Sequence, residues 1–170
     1  MIQQFQVTSG DHRIAGLLSI PEGSGRFPCV LLSHGLVSSK ESSKYIYLSE
    51  CFSSSGIAAC RFDYHGCGES GGDIVDTTLT IRVRDLESVL EHVLGHPSIE
   101  GGRIGILGSS FGGSTALVVA AKNSKIDFHG RSRGNLSSEH GEREGKAGYP
   151  LAGGALPVEG ATRAPIIEEK

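Results

Sequence analysis

Three segments of the chain place a serine between two glycines in the pattern G-x-S-x-G. They are residues 68–72, 108–112 and 130–134, and their central serines are Ser70, Ser110 and Ser132. This pattern is typical of a serine nucleophile at a sharp turn, where its hydroxyl attacks a carbonyl carbon and forms an acyl-enzyme that water then releases. Because the chain holds 25 glycines in 170 residues, chance matches are expected, and the surrounding sequence must separate the three.

The flanking elements favour Ser110. A nucleophile turn needs a strand that delivers the serine and a helix that follows it, so that backbone N–H groups point at the reacting oxygen. Only Ser110 has both, since "GRIGILG" precedes it and the small, apolar residues 114–122 follow it. Gly108 and Gly112 leave room for a serine in an unfavourable backbone conformation. A plain nucleotide-binding turn is disfavoured, because "GSSFGGS" has neither the P-loop lysine nor the G-x-G-x-x-G spacing.

The other two serines are better explained by local structure or by chance than by a nucleophile turn. Ser70 lies in a glycine-rich loop well past its strand, which predicts a turn. Ser132 has no flanking element of either kind.

The elements that must position Ser110 follow the order of a parallel α/β sheet. An opening antiparallel hairpin surrounds "GDH", and the apolar runs "FPCVLLSHG", "GIAACRFDYHG" and "GRIGILGSS" predict strands buried on both faces. Helices are predicted over residues 43–54, 79–94 and 114–122. The second helix is expected to start at a cap on Asp76 or Thr77 and to end at Gly95. Its polar side is predicted to carry Arg82, Arg84, Glu87 and Glu91.

The last part of the chain differs in composition. Residues 124–170 contain no strand-like run and no helical apolar period, so the sequence predicts a largely irregular tail after a partial domain of residues 1–123. The strand over residues 104–107 would then have an uncovered side. Such an edge favours aggregation or a homo-oligomer.

Bulk properties narrow the class of partner. The net charge of −3 and pI near 6.1 argue against nucleic acid or an acidic membrane surface. The start of the chain lacks the pattern of a secretory leader, and no apolar run is long enough to span a bilayer, so a cytoplasmic protein is expected. The cysteines have no metal-binding spacing and are expected to be buried, reduced thiols; they are Cys29, Cys51, Cys60 and Cys67.

The segments "LLSHGLVSSKE", "RFDYHGCGESGG" and "LESVLEHVLGHPSIEGGRIGILGSSFGG" resemble the α/β-hydrolase superfamily, specifically its small bacterial esterases and serine-aminopeptidase-like members, over about residues 1–123. The resemblance implies an α/β fold cut after the nucleophile helix, with Ser110 as nucleophile and no cofactor. It also implies an oxyanion hole formed by the backbone N–H groups of Leu36 and Phe111, with Gly35 in the same loop. His34 resembles a structural loop histidine. His65 stands where that family loop commonly carries arginine, and a structural role is favoured for it.

The resemblance does not supply the rest of a catalytic triad. In this fold the acid and then the histidine follow the serine, but the segment after Ser110 is too short for three more strands, since each crossover takes about 30 residues or more. Asp127 with His129, and Glu139 with His140, have the right order, although local accident explains both pairs better. The family pattern stops near residues 125–128. We therefore expect a frameshifted or prematurely terminated gene, or a short variant completed by a partner chain.

The sequence thus predicts a serine hydrolase acting on carboxylic esters, with amides or short peptides as further substrates, whose activity is impaired. The alternatives are a non-catalytic α/β fragment that acts as an interaction module and a nucleotide-binding half-fold.

Overall fold

The computed structural model describes residues 1–123 and 126–130, which form one mixed sheet with helices on both faces. A short 3₁₀ helix, Ile74–Asp76, lies in the loop before the second α-helix. The elements are β1 (Ile2–Ser9), β2 (His12–Ser19), β3 (Phe27–Ser33), α1 (Ser43–Ser54), β4 (Ala58–Phe62), α2 (Leu79–Leu94), β5 (Ile99–Gly108), α3 (Phe111–Lys122) and β6 (Ile126–Gly130).

The strands are arranged in the order β1-β2-β4-β3-β5-β6. β1 pairs with β2 and β2 with β4 in antiparallel fashion, whereas β4, β3, β5 and β6 are parallel. This confirms the predicted hairpin followed by parallel strands. Ser33 pairs with Gly108 at the carboxyl ends of β3 and β5, so the loops that leave these two strands start side by side.

The apolar runs are buried on both faces, as their composition predicts. On β3, Cys29 and Leu31 belong to the core under α2 and α3, whereas Val30 and Leu32 pack on the opposite face against Tyr45 of α1. Alternate side chains of a strand point to opposite faces, so an apolar residue at every position requires a helix on each side.

The helices agree with the sequence prediction except at three points. α1 and α2 have the predicted bounds. The cap of α2 is Thr78, whose hydroxyl accepts a hydrogen bond of 3.2 Å from the Ile81 N–H, so the prediction of Asp76 or Thr77 is wrong. α3 begins at Phe111, three residues before the predicted start. The first turn contains two glycines, at positions 112 and 113, and their low helix propensity makes a later helix start look more favourable.

The third difference is the burial of Arg82, which the sequence places on the polar face of α2. Arg82 is fully buried. It lies one turn before Leu86 on the helix, at i and i+4, and therefore faces the core with it.

The tail contains a strand that the sequence analysis missed. Residues 126–130 form β6, which pairs with β5 in parallel, with Ile104 opposite Ile126 and Gly108 opposite Gly130. The prediction that no strand follows Asn123, and that β5 is therefore an uncovered edge, is wrong. The segment is only five residues long and alternates apolar with polar positions, so its strand character is lost in the polar composition around it. Pairing with β5 supplies the backbone partners that make this short segment a strand.

The cysteines divide into two environments. Cys29, Cys60 and Cys67 are buried, but Cys51 is exposed on α1, so the expectation of burial is wrong for Cys51. All four are free thiols, and burial raises the pKa of Cys29 to about 12. None of the helices in the described part of the chain has the length and apolar character needed to cross a bilayer.

Candidate active site

Ser110 lies in the turn between β5 and α3 in a conformation that residues with side chains rarely adopt. Its φ is 53° and its ψ is −126°, and among the described residues it is the one non-glycine residue with positive φ. A Cβ in this region clashes with the backbone, so the conformation costs about 1–3 kcal/mol and persists only where neighbouring structure enforces it. The Ser110 side chain is exposed, so its hydroxyl is accessible from solvent.

Two glycines allow this turn to close. A Cβ at Gly108 would lie 2.5 Å from the Cα of Gly113, and a Cβ at Gly112 would overlap the carbonyl oxygens of Ser33 and His34. Backbone atoms cannot move aside as a flexible side chain can. The first turn of α3 therefore packs directly on the ends of β3 and β5 because positions 108 and 112 carry no side chain.

The loop after β3 runs beside Ser110. A Cβ at Gly35 would lie 3.7 Å from the Ser110 Cβ and 3.5 Å from the Ser109 carbonyl oxygen. The next residue, Leu36, is exposed and its carbonyl accepts a hydrogen bond from the Cys67 thiol. The structure therefore brings Gly35 and Ser110 together, although 75 positions separate them in the sequence.

The backbone N–H groups of Leu36, which follows Gly35, and of Phe111, the first residue of α3, have no hydrogen-bond partner among the described residues. The first N–H groups of a helix have no intrahelical acceptor and carry the positive end of the helix dipole. Both groups are therefore available to an anionic oxygen that forms next to Ser110.

His34 is held by both ring nitrogens. The Tyr64 N–H donates a hydrogen bond of 3.0 Å to Nε2, so Nδ1 carries the ring proton and donates to the Gly35 carbonyl oxygen at 2.7 Å. Burial lowers the pKa of His34 to about 4, with the positive charge of Arg82 as a further cause. A histidine that is neutral and doubly bonded fixes the loop at Gly35. It has no free nitrogen with which to take a proton from Ser110.

The other residues that the sequence suggested for the site include two that are buried or bonded elsewhere and three that lie outside the described residues. Ser70 is bound in its turn, since its hydroxyl donates to the Asp63 carbonyl at 2.6 Å and accepts from the Ala15 N–H at 2.9 Å. His65 is buried, and its backbone N–H donates a hydrogen bond of 3.0 Å to the Asp85 carboxylate. Ser132, Glu139 and His140 lie outside the described residues.

Asp127 and His129 lie on β6, in register with Gly105 and Leu107 of β5. The expectation of an irregular tail is wrong for the backbone of these two residues, which lie on the strand next to β5.

Three hydrogen bonds of the site have no signal in the sequence. The Lys44 ammonium donates a hydrogen bond of 3.0 Å to the Ser109 hydroxyl, which brings a positive charge from α1 to the residue before Ser110. Ser33, at the end of β3, bonds the Tyr64 hydroxyl at 2.6 Å and the Gly112 carbonyl at 2.8 Å. All three bonds join positions far apart in the chain, and only the folded sheet brings them together.

Comparison with known families agrees with this architecture. The family model described as serine aminopeptidase, S33 (Hydrolase_4), matches residues 27–131. The chain belongs to this family of α/β hydrolases. The match extends beyond residue 123, where the resemblance seen in the sequence ended, and it includes β6.

Two individual relatives are similar to parts of this chain. The chain is 29% identical over 120 residues to an uncharacterized 31.7 kDa protein of the traX-finO intergenic region of Escherichia coli, covering 68% of this chain and 42% of that protein. It is 33% identical over 96 residues to the mitochondrial palmitoyl-protein thioesterase ABHD10 of Mus musculus, covering 56% of this chain and 30% of that protein.

Among solved structures, Est1E from Butyrivibrio proteoclasticus, determined with bound ferulic acid, superposes with a TM-score of 0.66 at 22% identity. The aligned part covers 69% of this chain and 47% of Est1E, and it shows the shared α/β-hydrolase fold. The chain spans less than half of the length of each of these three relatives.

Proposed function

We propose that this chain is part of a serine hydrolase that cleaves carboxylic esters through an acyl-enzyme on Ser110. The observation that carries the proposal is the exposed Ser110 at φ 53°, between β5 and the first turn of α3. A strained conformation of this kind is retained where its geometry is used, because relaxing it would otherwise stabilise the fold. Membership of the S33 family supports the same reading.

The proposal gives each group around Ser110 a role. As the Ser110 Oγ forms a bond to the ester carbonyl carbon, its proton passes to a general base, and the carbonyl π electrons move to the oxygen. The N–H groups of Leu36 and Phe111 would hold this oxyanion. When the C–O bond breaks, the alkoxide leaving group takes a proton, and a water molecule then hydrolyses the acyl-enzyme to regenerate the serine.

The general base and its acid belong to the untested part of the proposal. His34 is unsuited to the role, since both its ring nitrogens are engaged and burial lowers its pKa to about 4. Asp127 and His129 on β6, and Glu139 and His140 beyond the described residues, remain the candidates. We propose that these candidates are poorly positioned, and that the activity is impaired by up to about the 10²–10⁴-fold that a positioned base typically contributes.

The substrate class is proposed from the acyl chemistry that the relatives' names share. ABHD10 is named a palmitoyl-protein thioesterase, Est1E was determined with ferulic acid, and the family is named for an aminopeptidase. All three names fit attack on the carbonyl of a carboxylic acid derivative. We propose an ester as the principal substrate, with thioesters and amides as competitors in the assay.

Hydrolysis of p-nitrophenyl acetate by the full chain tests the proposal. We expect slow release of p-nitrophenol that Ser110→Ala abolishes and Ser109→Ala retains, because Ser109 lies beside the turn with an ordinary backbone conformation. Equal rates for the wild type and Ser110→Ala would refute the enzyme and leave the non-catalytic interaction module. A parallel series with a p-nitroanilide and an acyl thioester orders the three substrate classes.

Location and self-association are further proposals. The four free cysteines favour a reducing compartment, and on this ground we propose a cytoplasmic protein. β1 and β6 are the outermost of the described strands, so association through a sheet edge would use one of them. Light scattering after size-exclusion chromatography tests this, and a monomer at high micromolar concentration would contradict it.

A further inference from the structure

Arg82 of α2 contacts both loops that flank the nucleophile. Its side chain is fully buried, and its Nη2 donates a hydrogen bond to the His34 carbonyl oxygen. The guanidinium carbon lies 3.6 Å from the centroid of the Tyr64 ring and 4.9 Å from that of the Phe111 ring. One buried cation therefore touches the residue before Gly35 and the first residue of α3.

The rest of the guanidinium is poorly compensated. Nε and Nη1 are buried without a hydrogen-bond partner among the described residues. The nearby Asp85 carboxylate bonds instead to the Ser9 hydroxyl and the His12 ring, at 2.6 and 2.9 Å. Burial lowers the pKa of Arg82, which reflects the cost of holding this charge away from water. A buried charge with unfilled donors destabilises a fold, and such local conflicts are expected where function requires them.

We propose that Arg82 is a positioning residue that holds the two N–H groups of the oxyanion hole, those of Leu36 and Phe111, in place relative to Ser110. This inference rests on the proposed function. The bond to the His34 carbonyl sets the orientation of the peptide that enters Gly35, a residue with no side chain to restrain it. The contact with the Phe111 ring restrains the start of α3 through a cation–π interaction.

The positive charge has a second effect on the same loop. Arg82 is one of the causes of the lowered pKa of His34, after burial. The neutral ring keeps Nε2 as the acceptor of the Tyr64 N–H, and a protonated ring would lose that bond. Arg82 therefore holds the loop by its own hydrogen bond and adds to the effect of burial, which is the main cause of the lowered pKa of His34.

Substitutions separate positioning from simple support of the fold. Arg82→Met keeps most of the apolar stem but removes the charge together with the two buried donors that have no partner, so we expect little loss of stability. Arg82→Lys keeps the charge without the planar fork. Arg84→Met is the matched control, since Arg84 lies two residues away on the same helix with its guanidinium exposed beside Gly10.

Phenylboronic acid is the probe, because its adduct places negative charge in the hole without needing turnover. The Ser110 oxygen bonds to boron and its proton passes to solvent, which leaves a tetrahedral boronate anion. Titrations followed by ¹¹B NMR give the affinity, and ¹H–¹⁵N spectra report the amides of Leu36 and Phe111. Thermal melting of each variant gives its stability.

We expect Arg82→Met to bind about 10- to 100-fold more weakly than the wild type, with shifted amides and a melting temperature that is little changed. Arg82→Lys should recover part of the affinity, and Arg84→Met should match the wild type. Wild-type affinity with unchanged amides in Arg82→Met would overturn the inference. So would a loss of affinity that only follows a loss of stability in both Arg82 variants.

The proposed function and this inference can fail separately. If the wild type forms no adduct that Ser110→Ala abolishes, the proposed function fails. The positioning role of Arg82 is then tested only by the ¹H–¹⁵N spectra recorded without phenylboronic acid. Unchanged amides of Leu36 and Phe111 in Arg82→Met, compared with Arg84→Met, would overturn it, and displaced amides would uphold it.

Discussion

The Ser33 hydroxyl donates a hydrogen bond of 2.8 Å to the carbonyl oxygen of Gly112 and so ties the end of β3 to the first turn of α3. A hydroxyl has one proton, so Ser33 accepts its second bond, of 2.6 Å, from the Tyr64 hydroxyl. In the opposite direction, the Ser109 N–H donates to the Ser33 carbonyl at 3.1 Å. These three bonds fix the turn at Ser110 against the loop that carries Gly35 and Leu36.

The first prediction concerns the contact at Gly112. Gly112→Ala should destabilise the fold by about 1–3 kcal/mol, because the new Cβ overlaps the carbonyl oxygens of Ser33 and His34. The better helix propensity of alanine offsets at most about 1 kcal/mol. Chemical denaturation measures the difference. Gly102→Ala is the control, since a Cβ there meets no atom within 4 Å, and equal stability of the two variants would contradict the close packing.

The second prediction concerns the strain at Ser110. Ser110→Gly should raise the free energy of unfolding by about 1 kcal/mol, since glycine adopts positive φ without the clash of a Cβ. Ser110→Ala keeps the Cβ and should not show this gain, and neither variant should react with an ester. Ser109→Gly, at negative φ, should lose stability through the added freedom of the unfolded chain. A Ser110→Gly variant less stable than Ser110→Ala would show that the turn is unstrained.

Most of the fold up to Asn123 could be predicted, because its strands and helices carry local hydrophobic patterns. The run Cys29 to Leu32 is apolar at every position, which requires a strand covered on both faces, and α2 has an apolar period long enough to give both its ends. β6 was missed, because an alternation of apolar and polar residues over only five positions is a weak signal within a polar segment. Its identity as a strand depends on pairing with β5, a non-local interaction.

Less of the site than of the fold could be predicted from the sequence. The position of the turn at Ser110 could be found, because glycine spacing and flanking elements are local features of sequence. The contacts of Lys44 with Ser109 and of Arg82 with His34 could not, since they join α1 and α2 to loops that only the folded sheet brings near. The charge of Arg82 predicted an exposed side chain, whereas the side chain is buried.

The third prediction is a pH dependence of stability that arises from His34. Burial lowers the pKa of His34 in the folded chain to about 4, below the value of 6.5 of a free histidine. In the interval between these values the unfolded chain binds more protons, so this contribution is complete above pH 6.5 and is lost as pH falls towards 4. His34→Gln cannot titrate, and its stability should fall less over that interval, by on the order of 3 kcal/mol. Urea titrations at several pH values measure the slopes, and parallel curves would contradict the assignment.

The fourth prediction concerns Asp85, which joins the hairpin to the loop after β4. Its buried carboxylate accepts hydrogen bonds from the Ser9 hydroxyl, the His12 ring and the His65 N–H. Asp85→Ala should cost about 3–5 kcal/mol of unfolding free energy, because it leaves three buried groups without a partner. Glu87→Ala, on the same helix, removes only a surface ion pair of 3.5 Å to Lys122 and should cost at most about 1 kcal/mol. Similar losses in the two variants would refute the role of Asp85.

The central claim is that the turn at Ser110 makes this one serine nucleophilic. The direct measurement is covalent labelling of the full chain by a fluorophosphonate, with the labelled residue located by peptide mass spectrometry. The account predicts a phosphonyl group on Ser110, formed as fluoride leaves, with labelling lost in Ser110→Ala and retained in Ser109→Ala. Labelling that is unchanged in Ser110→Ala, or that is spread evenly over Ser70, Ser109 and Ser110, would contradict it.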